Sequence, residues 1–221
     1  MADERFEVAL FPLDVVLFPG MALPLHIFEP RYQRMMADCL ADRAPFGVVL
    51  TEPETEHDHV REVPARVGTL ARIADYEKLD DGRFNLLAQG TRRFEVIELR
   101  TEKPYATALV KPFLDDEAAA PGPSLVAEAR EALATYLHTV MALIGSGDQA
   151  VAIPDDAHEL SYLVGMCLTC EDCEKQALLE MRSLAQRLRE GARMLHKETA
   201  LLAKQLAQGT PDLAGDRSIL N

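Results

Sequence analysis

The stretch at residues 10–32, LFPLDVVLFPGMALPLHIFEPRY, most limits what this chain can fold into. It sets short apolar, β-branched pieces between prolines. Pro12, Pro19 and Pro24 lack the amide hydrogen a sheet ladder needs, so they belong at strand edges and starts. Pro30 follows Glu29 and suits the first turn of a helix, where an amide hydrogen has no intrahelical partner. This order of breaks predicts an edge-rich β-unit that runs into a helix.

The following residues extend the pattern. Tyr32, Met35, Met36, Cys39 and Leu40 share one helical stripe. Residues 46–50 read as a strand. Residues 51–62 are polar and acidic and read as a surface loop. Runs at 67–76 and 84–88 flank Asp81-Gly82, a pair that suits a hairpin turn because glycine accepts positive φ. Gly90 marks a further break, before strands at 92–99 and 105–113. Short strands this close together predict a sandwich or pseudo-barrel rather than βαβ units.

At Leu114 the composition shifts to DDEAAAPGP, an acidic linker rich in proline and glycine. The expected organisation is a β-rich unit at 1–114, a helical unit at 122–208 and a mobile tail at 209–221. Val126, Ala129, Leu133, Val140 and Ile144 make the stripe of a first helix, with Ser124 as its cap. Asp155 and Asp156 open a second helix. A third is expected from Thr169, with Asp172 completing a capping box. Its heptad seam runs from Leu178 through Met181, Leu188 and Leu195 to Leu206, which predicts one long last helix. The fold class is therefore α+β: strands with one helix, then a three-helix bundle.

Several pieces resemble one family. They are Phe11-Pro12-Leu13, Leu17-Phe18-Pro19-Gly20, PLHIFEPRY at 24–32, VGTLARI at 67–73, DGRFNLLAQGTRRF at 81–94, Pro104-Tyr105 and EKQALLE at 174–180. In order and spacing they are similar to the Lon N-terminal domain, the substrate-binding domain of the ATP-dependent Lon protease. The resemblance implies a PUA-like β pseudo-barrel for the first part. It also implies a non-catalytic polypeptide-binding protein linked to protein quality control. Full-length Lon proteases carry ATPase and Ser-Lys protease modules after this domain, and the resemblance, confined to the N-terminal domain, implies neither activity here.

The search for chemistry agrees with that expectation. No G-x-x-x-x-G-K-[ST] phosphate loop occurs. Ser146 lies in Gly-Ser-Gly, without the spacing of a nucleophile elbow. Cys167, Cys170 and Cys173 have the C-x-x-C-x-x-C spacing of iron–sulfur sites, but Ala177 stands where a fourth ligand would be. They are the alternative metal site of an otherwise cofactor-free protein. His57, Asp58 and His59 are a weaker group in the acidic loop. A net charge of −13 argues against nucleic acid as a partner. No apolar stretch reaches the length of a membrane span. The N-terminus lacks a signal-peptide core, so a cytoplasmic location is expected.

The expected partner is unfolded or partly folded polypeptide, or another protein. Tyr32, Met35 and Met36 are the candidate contacts, because methionine adapts to varied surfaces. Arg92 and Arg93 form a small basic cluster suited to an acidic segment. The alternative is an adaptor or assembly module that docks through the long last helix.

Overall fold

The computed structural model describes residues 4–56, 59–116, 120–145 and 152–207. Its strands are β1 (Phe6–Leu13), β2 (Ala22–Ile27), β3 (Phe46–Glu56), β4 (His59–Pro64), β5 (Val67–Lys78), β6 (Phe84–Arg100) and β7 (Thr107–Pro112). Helix α1 (Pro30–Asp42) follows β2, and α2 (Pro123–Ile144), α3 (Ala157–Cys167), α4 (Asp172–Glu180) and α5 (Leu184–Ala207) follow β7. The class is α+β, as expected.

The strands close on themselves. β1 pairs antiparallel with β7, β7 with β6, β6 with β5 and β5 with β3. The ring is sealed by a parallel β3–β1 pairing, Ala9 opposite Phe46 through Leu13 opposite Leu50. Closure leaves no free edge among these five strands, which alone form the ring. β2 lies off this ring, paired with β6 only.

Local chemistry explains these elements. Pro30 starts α1, and Glu29 precedes it in extended backbone. Gly82 takes φ 86° in the β5–β6 turn, where Asp81 Oδ1 accepts from the Arg83 amide at 3.1 Å. Gly90 does not break a strand; β6 runs through it. Its role is close approach, because a Cβ there would sit 2.3 Å from the Phe18 carbonyl oxygen.

Four other expectations are corrected. The acidic stretch read as a loop forms a hairpin, with β3 paired to β4 from Thr51–Pro64 to Glu56–His59. Antiparallel ladder hydrogen bonds pair the backbone there. The first helix of the later part is preceded by Gly122 with Pro123 in its first turn, so Ser124 is not its cap. The expected long third helix is two helices, so the later part has four helices among the described residues. Extended backbone at Met181 ends α4, and the Ser183 hydroxyl accepts from the Gln186 amide at 3.3 Å to start α5. Thr169 caps no helix; its amide and hydroxyl bond Glu198 of α5.

One apolar cluster spans both parts. Val16, Phe18 and Val67 from the β-part pack with Leu133, Leu160, Val164, Leu178, Leu188 and Leu195 from the helices. Phe18 is the central peg, its ring lying where a Cβ on Gly165 would fall. Gln176 Nε2 donates to the Val67 carbonyl at 2.9 Å. The expected tail lies outside the described residues.

Candidate functional site

A groove of 490 Å³ opens where β1 ends, β2 runs into α1, and β3 meets β4. Phe11, Leu25, Ile27, Tyr32, Val63 and Pro64 supply its apolar lining. Asp14, Glu29 and Arg31 stand among the polar residues. The Pro-x-x-x-Phe-x-Pro spacing of residues 24–30 builds it. β2 alternates Leu23, Leu25 and Ile27 inward with Pro24 and His26 outward, and Pro30 then turns the chain into α1.

Phe28 sits at that turn with 62% of its surface exposed, the largest exposure among the buried-type aromatics of the chain's described residues. Its ring stacks on His26 at 6.2 Å between centroids. Gln33 Nε2 donates to the Phe28 carbonyl at 2.9 Å, holding the turn in place. Behind it runs a polar rail. Arg83 Nη1 donates to His26 Nε2 at 3.4 Å, which assigns the other ring nitrogen, Nδ1, as donor to Asn85 Oδ1 at 2.7 Å. Asn85 Nδ2 in turn donates to Glu77 at 3.3 Å. On the same outer face Leu87 is 41% exposed, and Tyr76, opposite Leu86 in the β5–β6 ladder, is 52% exposed next to Glu77. Pro24 lies opposite Leu87 in the β2–β6 ladder. Pro24 and Leu87 therefore form a small exposed apolar patch beside β2, a strand with one ladder neighbour among the described residues.

The candidate contacts divide. Tyr32 lines the groove, with the Arg31 guanidinium 4.5 Å from its ring centroid. Burial pushes its phenol above the usual value, so the hydroxyl stays protonated at neutral pH. Met35 and Met36 have no exposed surface. They point from α1 into the cluster of Phe11, Phe46 and Leu86, so they anchor the helix and offer nothing to a partner in this conformation. Period 3.6 places residues on one stripe but does not say whether solvent or core faces it.

Cys167 and Cys170 are half-buried, and Cys173 is exposed on α4. Burial pushes the Cys167 thiol up and that of Cys170 up to about 11, which disfavours the thiolate that binds metals. Among the described residues no three His, Cys, Asp or Glu side chains form a metal-holding group. The alternative metal site is therefore not assembled. His57 and Asp58 lie outside the described residues, as does Ser146. On α5 Leu188, Ala192 and Leu195 of the expected docking seam are buried; beyond them Leu202 is half-buried and Leu206 exposed. No helix among the described residues is long and apolar enough to cross a membrane.

The basic pair separates. Arg92 is exposed, while Arg93 is buried at the junction of the two parts. Arg93 Nη1 donates to the Leu179 carbonyl at 2.6 Å and the Met181 carbonyl at 2.8 Å. Its other terminal nitrogen bonds Asp115. Arg187, fully buried, grips both oxygens of Asp115 at 2.8 Å and reaches the Met181 carbonyl at 2.7 Å. His158 Nδ1 adds a contact to Asp115 at 2.9 Å. The break between α4 and α5 thus frees carbonyls at a helix C-terminus, where cations are favoured. Burial pulls the Arg93 guanidinium below its ordinary value, yet arginine stays charged at neutral pH. Asp115, expected in a linker, is the anion of an inter-lobe latch. The sequence signal was the Ser183-Leu184-Ala185-Gln186 capping pattern, which a continuous apolar seam obscures.

Comparison with known proteins matches this arrangement. A family model described as the ATP-dependent protease La (LON) substrate-binding domain matches residues 7–197. The Lon protease of Flavobacterium johnsoniae is 27% identical over 204 residues, covering 90% of this chain and 25% of that protein. Lon protease 2 of Herpetosiphon aurantiacus is 30% identical over 220 residues, covering 91% of this chain and 26% of that protein. The chain thus spans about a quarter of the length of the curated relatives it matches. A Lon N-terminal domain protein from Xanthomonas campestris has a crystal structure with TM-score 0.63 and 26% identity, covering 84% of this chain and 96% of that one. The N-terminal domain of a Mycobacterium avium complex Lon protease has TM-score 0.66 at 18% identity, covering 86% and 98%, and shares the fold. With the model spanning both the closed barrel and the helices locked to it, the chain belongs to the family of Lon substrate-binding domains.

Proposed function

We propose that this protein binds unfolded or partly folded polypeptide in the groove beside β2, serves protein quality control, and performs no catalysis itself. The observation that carries this reading is Phe28, a large aromatic held 62% exposed at the mouth of an apolar groove. A ring left largely in water, with one face stacked on His26, is unfavourable, so its place is best explained by intermittent burial against another chain. β2 supports the same reading, because a strand with one neighbour can accept an extended segment. Tyr32 contributes the groove wall, and Met35 and Met36 hold α1 from below. Four unpaired cysteines suit a reducing cytoplasm. An overall charge of −13 disfavours nucleic acid as the partner.

The test is binding of fluorescein-labelled, reduced and alkylated α-lactalbumin, followed by anisotropy. Phe28→Ser is expected to weaken binding roughly ten-fold, as loss of an aromatic anchor does. Its far-UV circular dichroism should match the unaltered protein, because the ring supports little of the core. Absence of binding by the unaltered protein, or equal binding by the variant, refutes the reading.

A further inference from the structure

A second concavity, of 380 Å³, lies at the far end of α1 from the Phe28 groove. Its floor is apolar, formed by Cys39, Leu40, Leu70 and Ile73. Its rim carries Arg43, Arg72 and Arg92. Among the described residues no carboxylate lines it, although the chain has 36 acidic residues against 23 Lys and Arg. Most described arginines are paired with an acid, as Arg31, Arg34, Arg66, Arg83, Arg100 and Arg193 are. Among the described residues these rim arginines have no acidic partner. Arg72 bonds the neutral Gln89, and Arg92 lies 5.4 Å from the centre of the Phe6 ring.

The backbone brings them together from three places. Arg43 ends α1 in left-handed backbone, φ 50°, a position that favours glycine. Arg72 comes from β5. Arg92 comes from a bulge in β6, where the register slips between Thr69–Arg93 and Ala71–Gly90 and Thr91 and Arg92 both turn outward. The Thr91 hydroxyl donates to the Leu70 carbonyl at 2.9 Å and pins the bulge.

We infer that this pocket binds an acidic polypeptide segment whose carboxylates alternate with apolar side chains. Guanidinium forks take carboxylates in paired hydrogen bonds. The apolar floor has no counterpart on a free phosphate ion and suits a leucine-sized side chain lying between the carboxylates. The field is local: in about 0.1 M salt charges beyond about 10 Å are largely screened, so the rim acts despite the acidic whole. This site is independent of the groove proposed above and adds charge selectivity that the groove lacks.

The experiment uses the full chain and a fluorescein-labelled peptide alternating glutamate and leucine, read by anisotropy. A glutamine–leucine peptide and inorganic pyrophosphate serve as comparators. The glutamate peptide should bind, and the glutamine peptide should bind at least ten-fold more weakly. Arg72→Gln and Arg92→Gln should each weaken binding about five-fold, the scale of one exposed ion pair. Arg43→Gly separates the roles: it should weaken binding similarly while raising the thermal midpoint, because it relieves left-handed strain. Phe28→Ser should leave this binding unchanged, so failure here and failure at the groove are distinguishable. No binding of the glutamate peptide, equal binding of the glutamine peptide, equal binding by the combined arginine variant, or equally effective displacement by pyrophosphate overturns the inference.

Discussion

Replacing Asp115 by asparagine keeps its shape and removes its charge. The carboxylate is 12% exposed, and the side chains of Arg93 and Arg187 that hold it are 2% and 0% exposed. Without it, two guanidinium ions stay buried with backbone carbonyls but no counter-ion. Breaking a buried pair from one side costs about 3–5 kcal/mol, because the orphaned charge stays out of water. For a chain of this size each kcal/mol moves the melting midpoint by roughly 2–4 °C, so the expected loss is roughly 6–20 °C. Urea unfolding followed by circular dichroism measures it directly. Adding Arg93→Met should give a double variant less destabilised than the sum of the two single ones, by about 1–3 kcal/mol, because one orphaned charge leaves with its partner. The pH dependence has a fixed sign. Burial raises the Asp115 pKa, but the hydrogen bond and charge of Arg187, then the charges of Arg93 and His158, outweigh it and hold it below the usual range. Its stabilisation is therefore complete above the unfolded value of about 3.9 and is lost as pH falls through the folded one. A loss below about 1 kcal/mol in Asp115→Asn, or strict additivity in the double variant, refutes the latch.

Other consequences are open to test. Gly90→Ala drives a methyl group to 2.3 Å from the Phe18 carbonyl and should destabilise by about 1–3 kcal/mol in urea titration, since backbone rather than a mobile side-chain tip must shift. Met36→Ala should cost about 2–5 kcal/mol, a core-cavity cost that a surface contact residue would not show. With iodoacetamide at neutral pH, peptide mapping should find exposed Cys173 modified well before Cys167 and Cys170, whose thiols are held protonated by burial.

Much of the fold was legible because its causes are local. Proline's fixed φ and missing donor place Pro19 between β1 and β2 and Pro30 at the start of α1, although Pro12 and Pro24 lie within β1 and β2, and the turn at Asp81-Gly82 follows from glycine's tolerance of positive φ. The stripe of α1 follows from a 3.6 period. Where two local signals competed, the stronger pattern hid the weaker. The apolar seam through Met181 concealed the capping pattern at Ser183, and Gly90 reads as a break until the Phe18 carbonyl is seen against it.

The chain's own order of residues determined most of the strands and helices, though not the β3–β4 hairpin or the break between α4 and α5, and that no phosphate loop or complete cysteine ligand set is present. Tertiary structure decided what those segments face. It buried Met35 and Met36, left Phe28 in water, set Asp115 between arginines from two distant elements, and gathered Arg43, Arg72 and Arg92 at one rim. Periodicity reports the side of an element a residue occupies. Only the closure of β3 on β1 and the docking of the helices determine what lies across from it, because those contacts join residues far apart in the chain.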